Sequence, residues 1–330
     1  MPRIIINRLY RLGDVLLVLP VIQGLAASGF EVDLITSDRY LPLLEGHPSL
    51  RRVFSVPSGQ PDPSCLTSYD GQYDVAVDLH SYRQRSYRQP EPQANPFLER
   101  VRAPVRIAVT TSSPVRPTHM REDRRSDEHA VAFYARVVGP DLVGRLGDGR
   151  LEKLTTRQGG PSGEIALVPG VHRGKDSWPT VRFAELGERL VRDRPVLVVG
   201  SEPDAASVRS LAERCHGGIQ VFLSPDLRSV ARRLSASELV VANNSGLAHV
   251  AAAVGCPVVC IYNRTKPSEW SPWGPSVSVV GDRWGTAVNA FETLPPSASE
   301  VGVQTVLEAV TASLERIGEK TRAAYDRASG

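Results

Sequence analysis

The chain has 330 residues, of which 41% are hydrophobic and 23% are charged. This balance is typical of folded globular proteins and excludes disorder over most of the chain, and the length predicts about two domains. With 39 basic and 36 acidic residues the net charge is only +3. A general nucleic-acid-binding protein would carry a more concentrated basic face, so we expect no nucleic-acid partner.

The sequence contains four cysteines, namely Cys65, Cys215, Cys256 and Cys260. Their spacing matches neither a zinc site nor a redox motif, so we expect no disulfide scaffold and no metal site. Free cysteines of this kind favour a reducing compartment.

The N-terminal residues do not resemble a targeting signal. Arg8, Arg11 and Asp14 interrupt the apolar stretch that a signal peptide requires. No run approaches the roughly 18 apolar residues that span a membrane. We therefore expect a cytoplasmic protein. A peripheral contact with the inner membrane face and the oligomeric state stay open.

Strand-like and helix-like segments alternate along the first half of the chain. Buried parallel strands are predicted from apolar, β-branched runs at 4–6, 31–35, 53–56, 73–79 and 105–109. The apolar segment 15–27 predicts a helix that has Asp14 as its N-cap and ends before Gly29. The Arg-, Pro- and Ser-rich segment 112–127 predicts a surface loop, and 129–138 predicts a helix.

A glycine-rich segment, 154–163, predicts a linker, after which the pattern restarts. Further strands are predicted at 165–168, 196–200, 239–242 and 257–262, and further helices at 180–192, 205–215, 227–235, 245–254 and 300–325. The predicted fold is therefore α/β, with two Rossmann-like domains of doubly wound parallel sheet, 1–155 and 164–300, facing across a cleft. Ligands of such sheets bind at the carboxyl ends of the strands.

The first candidate motif is Leu12-Gly13-Asp14, which follows the first strand. Gly13 permits a tight turn from strand to helix. Asp14 then stands at the carboxyl edge of the sheet. It is either a plain helix N-cap or a carboxylate base that faces the cleft.

The second candidate motif runs from Asn243 to His249, between a strand and a helix. A helix start rich in small and polar residues offers free N–H groups that bind phosphate. The alternative is that Ser245 merely caps the helix. His249 follows in the first turn, where a lone histidine is more often structural than catalytic.

Two loops of the second half carry further candidate residues. His172, Arg173 and Lys175 follow the strand 165–168 and suit the neutralisation of a diphosphate, or else form a solvated basic loop. Glu202 follows the strand 196–200, where it suits a hydrogen bond from a ribose or another sugar.

Several nucleotide-site and metal-site motifs are absent from the sequence. It contains no glycine-rich dinucleotide fingerprint after the first strand, no P-loop, no D-x-D pair and no H-E-x-x-H. These absences argue against a dinucleotide-binding first domain, a P-loop enzyme and a site that binds a diphosphate through a metal.

Taken together, the motifs resemble those of the heptosyltransferases, glycosyltransferase family 9, which have the two-domain GT-B fold. The matching positions are Leu12, Gly13, Asp14, Val15 and Pro20; Tyr73, Asp74, Asp78 and Leu79; Lys175, Trp178 and Pro179; and Ser245, Gly246, His249, Ala251, Ala252, Ala253 and Pro257.

The resemblance implies an inverting, metal-independent transfer of a sugar, usually a heptose from ADP-heptose, to a lipopolysaccharide core or a related glycan. It makes Asp14 the general base and Gly13 part of the acceptor site in the first domain. It makes the second domain the donor site, in which the N–H groups of Ser245, Gly246 and Leu247 meet the departing diphosphate. Further donor contacts are expected from Lys175, Glu202 and His249. It also implies that residues 301–330 form a helix that crosses back to the first domain.

The sequence departs from the family pattern on the donor side. Asn244 replaces the family's Asp, and Lys175 lies three rather than two residues before Trp178. The Ser and Thr with which the family contacts phosphate are not evident in this loop, and His172 and Arg173 are the candidates to replace them. Two alternatives therefore stay open: a non-catalytic relative that binds a nucleotide sugar, and a GT-B-type nucleotide-sugar epimerase.

The acceptor is expected to be a glycan or another small hydroxyl compound. Arginines of the first domain suit a phosphorylated or acidic acceptor, with Arg83, Arg85, Arg121 and Arg124 as the candidates. The alternative is that these arginines are simply solvated on loops.

Overall fold

The computed structural model describes residues 1–9, 11–58, 73–79, 97–109, 118–122, 124–155, 163–170, 177–200, 204–215, 218–262, 266–281 and 301–329. The chain divides into two compact units, Met1–Lys153 and Leu154–Gly330.

The described part of the first unit is an α/β fold built on a parallel sheet of six strands in the order β3-β2-β1-β4-β5-β6. The strands are β1 (Arg3–Asn7), β2 (Glu31–Ser37), β3 (Arg52–Val56), β4 (Val75–Asp78), β5 (Val105–Val109) and β6 (His119–Arg121). The helices are α1 (Leu12–Leu16), α2 (Leu19–Ala27), α3 (Leu41–Leu44), α4 (Phe97–Arg100), α5 (Ala130–Val138) and α6 (Pro140–Val143).

The second unit, where described, contains another parallel sheet of six strands, in the order β12-β11-β10-β7-β8-β9. Its strands are β7 (Ile165–Val168), β8 (Val196–Gly200), β9 (Ile219–Leu223), β10 (Leu239–Asn243), β11 (Val258–Tyr262) and β12 (Val277–Gly281). Its helices are α7 (Thr180–Leu190), α8 (Ala205–Arg214), α9 (Leu227–Ser235), α10 (Gly246–Ala253), α11 (Pro267–Trp270) and α12 (Val303–Ser329).

The two sheets have the same winding. In each, the first strand lies between the second and the fourth, so that the strand order reverses between β1 and β4 and between β7 and β10. Ligands of open α/β sheets bind outside the carboxyl ends of the strands at this switch point. The loops that follow β1, β4, β7 and β10 are therefore where a binding site is expected.

Three strands were missed in the sequence, and all three lie at the edge of a sheet. β6 lies inside 112–127, so the prediction of a surface loop there is wrong for residues 119–121. β9 and β12 were not predicted at all. Each of these strands pairs on one side only, so its residues are partly exposed and lack the continuous apolar run of an inner strand.

The single helix predicted over 15–27 is two helices. α1 ends at Leu16 and α2 begins at Leu19, with Pro20 in its first turn. Proline has no N–H for the carbonyl four residues earlier, and its ring clashes with that carbonyl. A continuous helix is therefore interrupted just before Pro20.

The long C-terminal helix α12 packs by its first turns onto the second unit. Val303, Val306 and Val310 are buried in the same cluster as Val259 of β11 and Phe183 of α7. The predicted crossing to the first unit stays a prediction. Among the helices that the structure describes, none is long and apolar enough to span a membrane.

Candidate functional site

Asp14 follows the carboxyl end of β1 by seven residues. It is the third residue of α1, whose N-cap is Arg11, so the predicted N-cap role of Asp14 is wrong. Gly13 is also helical and does not have a positive φ, so the tight turn predicted at Gly13 is wrong as well. Asp14 is 6% exposed. The cap interpretation, which was the alternative to a chemical role, therefore fails for this side chain.

The carboxylate of Asp14 is held by two partners. Arg8 Nη2 donates to Asp14 Oδ1, and the Tyr134 hydroxyl donates to the same oxygen at 3.4 Å. Arg8 Nη2 also donates to the Tyr134 hydroxyl at 2.8 Å, and the guanidinium carbon of Arg8 lies 5.2 Å from the centre of the Tyr134 ring. Both bonds use Oδ1, and within the described part of the chain no donor reaches Oδ2.

Arg8 is in turn fixed at the switch point of the first sheet. It follows β1 directly, is 2% exposed, and its Nη1 donates to the carbonyl oxygen of Leu79, just beyond β4, at 2.6 Å. Beside it, Asn7 Nδ2 donates to Asp78 Oδ1 at 3.0 Å. The ends of β1 and β4 therefore hold the ion pair in one orientation.

The hydroxyl of Tyr40 feels the negative charge of Asp14. Burial raises the pKa of the Tyr40 hydroxyl, and the negative charge of Asp14 acts in the same direction. Tyr40 is therefore a neutral phenol at physiological pH.

The start of α10 lies at the switch point of the second sheet, directly after β10. Ser245 is its N-cap residue in extended conformation, yet its side chain makes no capping hydrogen bond, so the capping interpretation of Ser245 is wrong. Its Oγ is buried without a hydrogen-bond partner in the described structure. The N–H groups of Gly246 and Leu247 belong to the first turn, where a helix offers no acceptor of its own.

Asn244, just before Ser245, and His249, in the first turns of α10, differ in exposure. Asn244 is half-buried, and its N–H donates to the carbonyl oxygen of Ile261 in β11 at 3.0 Å. His249 is 7% exposed within α10. The structure thus places Asn244, Ser245, Gly246 and Leu247 together at one strand end, with His249 one turn further along the helix.

The described arginines of the predicted acceptor site lie at and after the carboxyl end of β6, an outer strand of the first sheet. Arg121 is the last residue of β6, opposite Val109 of β5. It is half-buried and its Nε is completely buried without a hydrogen-bond partner in the parts that the structure describes. Arg124, three residues after Arg121, is also half-buried. The carboxyl end of β6 therefore presents a guanidinium that no described carboxylate neutralises.

Six predicted site residues lie outside the described residues. They are His172, Arg173, Lys175 and Glu202 of the second unit, and Arg83 and Arg85 of the first. Among the residues that are described, no group of three or more His, Cys, Asp or Glu side chains is placed to hold a metal ion.

The sequence interpretation missed two residues that hold Asp14 in place, namely Arg8 and Tyr134. Arg8 directly follows the apolar strand β1, and that position was the available signal. Asn243, the last residue of β10, belonged to the second candidate motif but was given no role of its own. Tyr134 lies 120 residues from Asp14 in the sequence, and no local pattern could have connected the two.

Comparison with solved structures defines the class of protein. The chain resembles the glycosyl transferase family 9 protein from Veillonella parvula, with a TM-score of 0.75 over 96% of this chain and 98% of that one, at 18% identity. It resembles the E. coli heptosyltransferase WaaC with ADP, with a TM-score of 0.71 over 94% and 99%, also at 18% identity. With its two parallel α/β sheets, the chain therefore has the GT-B glycosyltransferase fold.

Sequence comparison identifies the family. Residues 128–292, half of the chain, match glycosyltransferase family 9 (heptosyltransferase). The chain belongs to this family.

The curated relatives are distant. The lipooligosaccharide heptosyltransferase 2 of Haemophilus influenzae is 28% identical over 129 residues, which cover 35% of this chain and only about a third (36%) of that protein. The protein of the same name from Haemophilus ducreyi is 24% identical over 279 residues, 73% of this chain and 77% of that one.

Proposed function

We propose that this protein is an inverting, metal-independent glycosyltransferase that moves a heptose from a nucleotide-activated donor such as ADP-heptose to a hydroxyl acceptor. The observation that carries the proposal is the carboxylate of Asp14. One of its oxygens is fixed by Arg8 and Tyr134, and the other has no hydrogen-bond donor in the described structure. A base must be held in place while keeping one oxygen open to a proton.

In the proposed reaction the acceptor hydroxyl gives its proton to Asp14 Oδ2 as its oxygen attacks the anomeric carbon of the donor sugar. The bond from that carbon to the diphosphate oxygen breaks on the opposite face, and the leaving oxygen takes the electron pair. The configuration at the anomeric carbon is therefore inverted. The nucleoside diphosphate departs with an added negative charge that the protein must stabilise.

The start of α10 is the proposed site for that charge. The N–H groups of Gly246 and Leu247 and the hydroxyl of Ser245 supply hydrogen-bond donors at the positive end of the helix. The family resemblance adds Lys175, His172, Arg173 and Glu202 on the donor side. ADP is the proposed nucleotide because solved relatives are described with ADP and with ADP-2-deoxy-2-fluoro heptose.

A phosphorylated or acidic acceptor is supported by Arg121. Its half-buried guanidinium has no carboxylate partner among the described residues, and such a group favours an anionic ligand. Arg124, Arg83 and Arg85 complete the proposed acceptor side, together with Gly13. A lipopolysaccharide core is one acceptor of this chemistry. A cytoplasmic location stays a prediction from the sequence.

The first experiment is a thermal-shift panel with EDTA present, comparing ADP, GDP, UDP, dTDP and their sugar conjugates. A ligand that binds the folded protein raises its melting temperature. We expect shifts with ADP and ADP-heptose. A shift with another nucleotide alone would contradict the proposed donor while keeping the reaction class.

The second experiment replaces the proposed base. Asp14→Asn keeps the shape of the side chain but removes its basicity, so we expect turnover to fall by at least about 100-fold while ADP affinity is unchanged. Asp226→Asn, at the exposed N-cap of α9, is the matched control. Normal turnover in Asp14→Asn would refute the proposed base. ADP-heptose binding without turnover in the wild-type protein would favour the non-catalytic alternative, and consumption of the donor without acceptor would favour the epimerase.

A further inference from the structure

Asn243, the last residue of β10, is a buried side chain that the proposed chemistry does not use. It is 2% exposed. Its Oδ1 accepts from the main-chain N–H of Trp178 at 2.9 Å. Its Nδ2 donates to the carbonyl oxygens of Pro169 and Trp178 at 3.1 and 3.4 Å. The side-chain amide of Asn243 therefore bonds to two chain segments near the end of β7, one at Pro169 and one at Trp178.

These bonds replace a main-chain ladder that has ended. The last register pair between β10 and β7 is Ala242 with Val168. The next residue of the β7 chain is Pro169, which has no N–H and therefore adds no donor to the ladder. The side chain of Asn243 donates to the Pro169 carbonyl and so ties β10 to the β7 chain one residue beyond the last register pair.

On its other side, β10 is held to β11 by main-chain hydrogen bonds. Asn243 is paired with Ile261 of β11, and the N–H of Asn244 continues the ladder to the Ile261 carbonyl at 3.0 Å. The exit of β10 is thus held by main chain on the β11 side and by the Asn243 side chain on the β7 side. That exit leads within two residues to Ser245 and the first turn of α10.

The other partner of Asn243 is itself firmly anchored. The Trp178 ring is 1% exposed, lies edge-on to Phe183 with ring centres 4.7 Å apart, and its Nε1 donates to the Val301 carbonyl at 2.8 Å. Removal of the Asn243 amide therefore leaves Trp178 packed. We expect it to loosen the strand exit without unfolding the unit.

We propose that Asn243 is a positioning residue for the donor site, because it fixes the first turn of α10 relative to the end of β7. This inference rests on the proposed function, in which that turn binds the diphosphate. Small errors in the placement of such donors weaken the binding of a charged ligand strongly.

The test uses Asn243→Leu in the full-length protein, because leucine has a similar volume and is neutral but offers no hydrogen bond. We expect ADP affinity, measured by calorimetry well below the melting temperature, to fall about tenfold. Asn243→Ala serves as a second variant if the leucine variant does not fold. Val241→Ala is the control, since Val241 is completely buried in the same strand and contacts neither Pro169 nor Trp178 by hydrogen bonds.

A second measurement does not depend on binding of the nucleotide or of the nucleotide sugar. Hydrogen exchange at the Trp178 amide, which donates to Asn243 Oδ1, is expected to accelerate at least tenfold in the variant, while exchange within β10 stays as in the wild type. If wild-type protein binds no ADP, the proposed donor fails, and exchange at Trp178 alone decides on Asn243. Unchanged exchange at Trp178 overturns the positioning role. So does an equal loss of ADP affinity in Val241→Ala at a matched melting temperature.

Discussion

Arg8 and Asp14 form an ion pair in which the two side chains are only 3% and 7% exposed. Removing two charges from water costs several kcal/mol for each ion, and their attraction offsets this cost only while both are present. The Tyr134 hydroxyl and the Leu79 carbonyl satisfy further donors of the guanidinium. The pair is therefore a unit in which each charge depends on the other.

Removing one member should be worse for stability than removing both. Arg8→Met leaves the Asp14 carboxylate buried without its counter-charge, so we expect a loss of about 3–5 kcal/mol in the free energy of unfolding. Arg8→Met combined with Asp14→Asn should recover most of that loss. Urea denaturation of the single and double variants measures the coupling. Additive losses would show that the two charges are independent.

Substitution of Ser245 tests whether its hydroxyl stabilises the start of α10 or binds the ligand. Its hydroxyl makes no hydrogen bond in the described structure, so Ser245→Ala should change the free energy of unfolding by less than about 0.5 kcal/mol. ADP affinity should nevertheless fall, by several-fold, if the hydroxyl meets the diphosphate. Denaturation and calorimetry on the same variant give both values. A loss of about 1 kcal/mol of stability with unchanged affinity would restore the capping interpretation.

His47 should make the first unit less stable in acid. It is 4% exposed, its Nε2 donates to the Arg150 carbonyl at 3.0 Å, and its Nδ1 accepts from the Ser49 N–H at 3.2 Å. Burial lowers the pKa of His47 below its usual value of 6.5. Between these two pKa values the unfolded chain binds the proton and the folded chain does not, so stability falls as the pH drops below about 6.5.

The measurement is the free energy of unfolding between pH 7.5 and 5. His47→Gln should flatten its pH dependence, whereas His119→Gln, at an exposed residue, should leave it in place. An equally steep fall in the His47 variant would assign the acid sensitivity to other groups.

Replacing glycine by alanine should have opposite effects on stability at Gly24 and at Gly318. A Cβ on Gly24 of α2 would lie 2.7 Å from the carbonyl oxygens of Val143 and Arg145, so Gly24→Ala should destabilise by about 1–3 kcal/mol. A Cβ on Gly318 of α12 meets nothing within 4 Å, so Gly318→Ala should stabilise by up to about 1 kcal/mol. Thermal unfolding of both variants tests this. A neutral Gly24→Ala would mean that α2 is not closely packed there.

The inner strands were predictable from the sequence because burial on both faces leaves an unmistakable apolar run. β5 and β8 were predicted at 105–109 and 196–200, as observed. The edge strands lack that signal, and β6, with His119 and Arg121 at its ends, reads as a loop. β6 forms because it pairs with β5, and this pairing cannot be recognised from the local composition.

The chemistry of the site was partly predictable for a related reason. Asp14 and Ser245 stand out because each follows a strand and belongs to a family motif. Their partners do not, since Arg8 lies outside the motif and Tyr134, on α5, is 120 residues from Asp14 in the sequence. The local roles assigned to Gly13, Asp14 and Ser245 were wrong because a helix can begin one turn earlier than its motif suggests, and because an N-cap residue need not use its side chain.

The hydrogen bond from Trp178 to Val301 joins residues 123 positions apart. Arg182 donates to the same carbonyl oxygen, so two side chains early in the second unit depend on a residue 119 or more positions later. During synthesis the first unit has all its residues once Lys153 has left the ribosome, and domains generally fold as they emerge. The second unit has to wait until Val301 has been synthesised. Until then the apolar strands β7 and β8, which are buried in the folded unit, lack part of their cover, and we expect them to need protection from aggregation.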